Sequence, residues 1–138
     1  VDRLEHEFAR GKTLLRAAAP ELVEAAEASL CGEPVDPAVH ARAADRLRNQ
    51  PGGDRIDTVV LACTHFPLLA DGLASAFGPQ VAFCHGAAGI ARRIAHLTQG
   101  QPFARTRPDV ALFTDARRLC DGPGTALARY GLERIEAF

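Results

Sequence analysis

The chain has 138 residues, enough for one compact domain, and 47% of them are hydrophobic, enough for a real core. No apolar run approaches the roughly 20 residues of a membrane span, so no membrane partner is expected. Charged residues make up 24% and the net charge is -1, a balance that argues against nucleic-acid binding, which needs a basic surface.

The chain starts at Val1 and contains no Met, so a longer parent protein is expected. It opens without the charged-then-apolar pattern of a secretory signal. Its four cysteines, Cys31, Cys63, Cys84 and Cys120, include no C-x-x-C pair, which leaves zinc-ribbon and thioredoxin readings without spacing support. Reduced thiols are the default in the absence of secretion, and Cys31 and Cys120 read as small buried hydrophobes.

In chain order, residues 3–10 carry Leu4 and Phe8 at helical spacing, and residues 12–18, "KTLLRAA", suit a short strand. Pro20 opens a helix whose face is Leu22, Val23, Ala26 and Leu30. Glu21 and Glu24 lie in its first turns, and Gly32 ends it. Residues 37–48 form a polar, Arg-rich helix, and "PGGD" at 51–54 is a loop.

Residues 57–62, "DTVVLA", have the length, β-branching and continuity of a buried strand. A helix over 66–77 stops at Gly78-Pro79, and a strand over 80–84 follows. A helix over 87–98 places Ile90, Ile94 and Leu97 on one face. After a turn-rich stretch come a strand at 109–114, a short helix at 124–130 and a final strand at 132–137. The expected fold is α/β, with a parallel sheet and flanking helices, because strand, helix, strand at this spacing is a βαβ unit. "GQPFARTRP" is the one linker-like stretch.

Cys63, Thr64 and His65 stand where the strand 57–62 gives out, and open parallel sheets bind ligands at that edge. A helix beginning near Thr64, with Pro67 in its first turn, would turn its positive end toward Cys63 and favour thiolate. Thr64 offers a hydroxyl and an N–H to a substrate carboxylate, and His65 can exchange a proton with Cys63. The same residues also allow a purely structural reading, in which Thr64 caps the helix and His65 braces the loop. Cys63, His65, Cys84 and His85, from neighbouring strand ends, would make a Cys/His metal site, although their spacing matches no standard zinc pattern. His6, His40 and His96 read as solvated helix residues, Arg92-Arg93 and Arg117-Arg118 as exposed faces, and Asp115 as structural.

"DTVVLACTHFPLL" resembles the second-cysteine motif of the glutamate racemases, in which Cys-Thr-His is followed by an aromatic residue and Pro-Leu-Leu. "APELVEAAE" and "GAAGIARRIAHL" resemble two further segments of that family, so nearly the whole chain resembles its second half. The resemblance implies a two-lobed, pseudo-symmetric fold. Residues 1–88 would form the second lobe, and residues 89–138 a segment returning to complete the first.

It also implies an enzyme without cofactor or metal, an isomerase of glutamate that supplies D-glutamate for cell-wall peptidoglycan in a bacterial cytoplasm. Two cysteines would work on opposite faces of the substrate. Cys63 matches the second, Thr64 would help bind substrate, and His65 would assist Cys63 and contact substrate. The implied partner is glutamate, with a homodimer as a further option. Aspartate or hydantoin racemase, a one-cysteine decarboxylase and an inactive fragment are the alternatives. Two departures stand out. The first catalytic cysteine, with its Asp-Ser-Gly and Pro-Tyr-Gly loops, belongs to the family's first half. Cys84-His85-Gly86 also replaces the family's Asp followed by Ser or Gly.

Overall fold

The computed structural model describes residues 2–104, 106–115, 126–132 and 134–137. Helix α1 is Asp2–Phe8, α2 Glu21–Leu30 and α3 Ala38–Arg48. Strand β1 is Thr58–Val60, followed by a 3-10 turn at Phe66–Leu69, helix α4 at Ala70–Phe77 and β2 at Ala82–Cys84. Helix α5 is Ala87–Leu97, β3 Val110–Phe113 and β4 Arg134–Ala137, with a 3-10 turn at Ala126–Tyr130 before β4. Cys120 and Arg117-Arg118 lie outside the described residues, as do positions 124 and 125 of the expected short helix.

Among the described residues the strands are parallel and form two pairs. β1 and β2 run in register from Thr58 opposite Ala82 to Val60 opposite Cys84, with α4 as their crossover. β3 and β4 run from Val110 opposite Arg134 to Phe113 opposite Ala137.

The core lies where α2, α3 and α4 close on β1. Leu22 and Ala26 of α2, Val39, Ala43 and Ala44 of α3, Val59 and Leu61 at β1, and Leu69, Leu73 and Phe77 at α4 form one buried cluster. The spacing of Leu22 and Ala26, four residues apart, puts both on one helix face. Arg48, in the last turn of α3, donates to the carbonyls of Ala76 (3.1 Å) and Phe77 (2.8 Å), groups that α4 cannot satisfy within its own final turn. Its guanidinium also lies 5.4 Å from the Phe77 ring centre, and Phe77 meets Phe83 of β2 edge-on at 5.7 Å.

Several sequence expectations are corrected. Residues 12–18 form no strand, and side chains from α3 and the turn after it take two of their carbonyls. Gln50 donates to Arg16 O at 3.0 Å and Arg46 to Ala18 O at 2.7 Å. The strand at 57–62 is shorter and only half-buried: Val59 is inside, while Val60 is 61% exposed. Residues of α2, α3 and α4 pack on the Val59 face of β1 and leave its other face exposed. The helix 66–77 starts as a tight 3-10 turn with Pro67 in it before becoming α4. His40 is buried at 8% exposure, not solvated, because the polar α3 turns its small residues and this ring toward α4. Cys31 is disulfide-bonded, which overturns the reduced-thiol expectation for it.

Candidate active site

The site is built at the carboxyl end of β1. Leu61, buried just past the strand, donates its N–H to Cys84 O at 2.9 Å, which extends the parallel pairing by one bond. The chain then bends through residues 63–65 into the 3-10 turn. Phe66 N–H donates to Cys63 O at 3.3 Å and Leu68 N–H to His65 O at 3.0 Å. This folds His65 back over Cys63: His65 Nδ1 lies 3.7 Å from Cys63 Sγ, and both residues are partly buried. The other ring nitrogen, Nε2, lies 3.0 Å from Oε1 of Glu27, which α2 brings in from 38 positions away.

The electrostatics reinforce one another. The Cys63 thiol is held below its ordinary value, first by the backbone N–H of His65 directed at the sulfur and then by the His65 ring, against a smaller opposing effect of burial. The His65 imidazole is raised above its ordinary value, first by its bond to Cys63 and then by Glu27. Both shifts favour a thiolate beside an imidazolium, with the Glu27 carboxylate accepting the outer N–H. The following helix starts as a 3-10 turn, and the thiol is lowered by backbone N–H groups of His65 and Phe66 at its start together with the His65 ring.

Thr64 is exposed on the bend between Cys63 and His65. His65, not Thr64, occupies the N-cap position of the 3-10 turn, and no side-chain cap bond forms there. Cys84 is an exposed free thiol at the end of β2, on the same sheet edge as Cys63. His85 accepts the Ala87 N–H at Nδ1 (3.3 Å) and so caps the start of α5. Among the described residues no group of three or more His, Cys, Asp or Glu side chains is placed to hold a metal ion. Both ring nitrogens of His65 and one of His85 are already engaged within the protein. A cavity of about 630 Å³ runs as an open groove along α2, lined by Glu24, Glu27, Glu33 and Cys31 among others, and reaches the relay only at Glu27.

Glu27 is the residue that sequence reasoning passed over. It closes the string "APELVEAAE", whose local pattern signals only a helix, and the folding of α2 against the 3-10 turn brings it to His65.

No protein-family model matches the chain. It is 56% identical over 137 residues to the glutamate racemase of Sphingopyxis alaskensis, which covers 99% of this chain and 51% of that protein. It is 30% identical over 132 residues to the glutamate racemase of Shewanella loihica, covering 96% of this chain and 48% of the relative. Its fold matches a crystal structure of Escherichia coli glutamate racemase in complex with L-glutamate and the activator UDP-MurNAc-ala. The TM-score is 0.79 at 30% identity, over 99% of this chain and 52% of that one. The chain spans about half the length of the curated relatives it matches. In sequence and in fold it is similar to about half of a glutamate racemase.

Proposed function

We propose that this chain carries one of the two proton-transfer groups of a racemase that interconverts L- and D-glutamate, and that Cys63 is that group. The observation that supports it is the Cys63–His65–Glu27 relay at a strand end, in a chain similar throughout to glutamate racemases. A racemase runs in both directions, so it needs an acid and a base of the same kind on the two faces of Cα. As thiolate, Cys63 takes the α-proton from one face. As thiol, it returns a proton to that face in the reverse reaction. His65 holds the balancing charge, and Glu27 keeps the proton on the outer ring nitrogen. The N–H and hydroxyl of Thr64 receive the substrate carboxylate, where negative charge grows as the α-proton leaves.

The opposite-face thiol belongs to the part of a racemase that this chain does not span. Cys84 does not replace it, since it shares the sheet edge of Cys63. In this reading residues 1–88 form the lobe that bears the site, and residues 89–138 pack against the other lobe. The product, D-glutamate, serves peptidoglycan synthesis in a bacterial cytoplasm. Among the described residues no helix is long and apolar enough to cross a membrane.

The test is to join the chain to the remaining half of a glutamate racemase and follow each glutamate enantiomer by circular dichroism, without pyridoxal phosphate or added metal. Loss of optical rotation from both enantiomers is expected. Activity on aspartate alone would favour the neighbouring racemase reading.

A further inference from the structure

We propose that Cys63 is a peroxide-modifiable thiol, converted to sulfenic acid by hydroperoxides with the help of His65 and Glu27, and that this oxidation shuts the site to proton transfer. The molecule offers an internal contrast. Cys84 is exposed, whereas Cys63 is only partly exposed, so access alone makes Cys84 the faster thiol. Chemistry orders them the other way. Cys63 Sγ sits 3.7 Å from an imidazole nitrogen whose ring is held at its far side by Glu27, at 3.0 Å.

The step balances on residues present. A lone pair of the Cys63 thiolate attacks one oxygen of the hydroperoxide; the S–O bond forms and the O–O bond breaks. The departing hydroxide of hydrogen peroxide, or the alkoxide of an organic hydroperoxide, takes the Nδ1 proton of the His65 imidazolium and leaves as water or alcohol. Sulfur is oxidised by two electrons, the peroxide is reduced by two, and His65 ends neutral. Cleavage of the O–O bond needs a nucleophilic thiolate and an acid for the leaving oxygen, and the 3.7 Å pair supplies both. Two equivalents of a small thiol reverse it: the first forms a mixed disulfide with loss of water, and the second releases Cys63 as thiol. The loss of activity rests on the role assigned to Cys63 above; the modification itself does not.

The experiment treats the 138-residue chain with hydrogen peroxide in the presence of dimedone, which traps sulfenic acids. Peptide mass spectrometry then compares Cys63 with Cys84 in the same molecules. Cys63 is expected to be labelled at least about tenfold faster than Cys84, the scale by which thiolate content separates cysteines. His65→Asn should bring the Cys63 rate down to within a few-fold of Cys84, and Glu27→Gln should lower it part of the way. Cys84 is the reference for each variant, so a general change in folding would move both thiols. Equal labelling, faster labelling of Cys84, or a Cys63 rate unmoved by His65→Asn would overturn the proposal. In the completed enzyme, peroxide-inactivated racemase should recover with dithiothreitol. Selective Cys63 labelling in a protein that never racemises glutamate would leave the modification standing and remove the catalytic reading.

Discussion

His65 Nε2 and Glu27 Oε1 meet at 3.0 Å across 38 residues of sequence, and this contact ties α2 to the bend that holds Cys63. The carboxylate holds one side of the ring, and the other side faces the thiol. If it holds the imidazolium form, Glu27→Gln should lower kcat of the completed racemase by about tenfold with little change in KM, the pattern of a group that assists a proton transfer. Glu27→Asp, with the charge kept on a shorter arm, should recover part of the loss. An unchanged kcat in Glu27→Gln would show that the contact is structural only.

The two opposed shifts set a pH window. Cys63 lies below its ordinary 9.0 and His65 above its ordinary 6.5, and each shift favours the charged form of its group in the folded chain. Cys63 stabilises the fold above its unfolded value, and that contribution is lost as pH falls through its lowered folded value. His65 stabilises the fold below its unfolded value, and that contribution is lost as pH rises through its raised folded value. Iodoacetamide alkylation of Cys63 should therefore show a midpoint below 9.0 in the native chain, moving up toward that of a free thiol in urea. Coincident native and unfolded midpoints would contradict the pairing.

Gly72 of α4 lies directly against the His40 ring of α3. A Cβ added at Gly72 would stand 2.5 Å from His40 Cε1 and 2.6 Å from Nε2, and the His40 ring it meets is buried. Gly72→Ala should cost about 1–3 kcal/mol, the usual range for overpacking. His40→Ala in the same chain should recover much of that, giving a coupling energy in a double-mutant cycle by urea unfolding. Additive losses would show that the ring and the added methyl do not meet.

Much of the fold was legible because local chemistry and global packing agree. Pro20, Glu21 and Glu24 mark the start of α2, Gly32 follows its end at φ 77°, and the β-branched run before Cys63 marks a strand. Cys63, Thr64 and His65 could be singled out as a site because a strand end is a predictable place for ligands. The misreadings involve partners distant in the chain. His40 looks solvated on an Arg-rich helix until Gly72 is found opposite it. Residues 12–18 lack a neighbouring strand, which no local pattern reports. Glu27 reads as one more helix glutamate until α2 docks, and the Cys31 disulfide depends on folding rather than on spacing.

Helix α5 has no buried residue, and its stripe Ile90, Ile94 and Leu97 is 60%, 56% and 61% exposed. Leu112 of β3 is 62% exposed as well. In the chain alone, Ile94→Glu should change unfolding stability by less than about 0.5 kcal/mol, as surface substitutions do. Leu73→Ala, from the core, should cost about 2–5 kcal/mol. The same exposure predicts a weakly stable, aggregation-prone chain, and the one-face role proposed for Cys63 predicts that this chain does not racemise glutamate on its own. A soluble, cooperatively unfolding monomer with racemase activity would contradict this account.

The most direct measurement is the turnover of Cys63→Ala in the completed enzyme, followed by circular dichroism from both L- and D-glutamate. A loss of about 10²–10⁴-fold in both directions is expected, the scale of a missing acid–base group. Turnover near that of the unsubstituted enzyme would remove Cys63 from the chemistry and contradict the central claim.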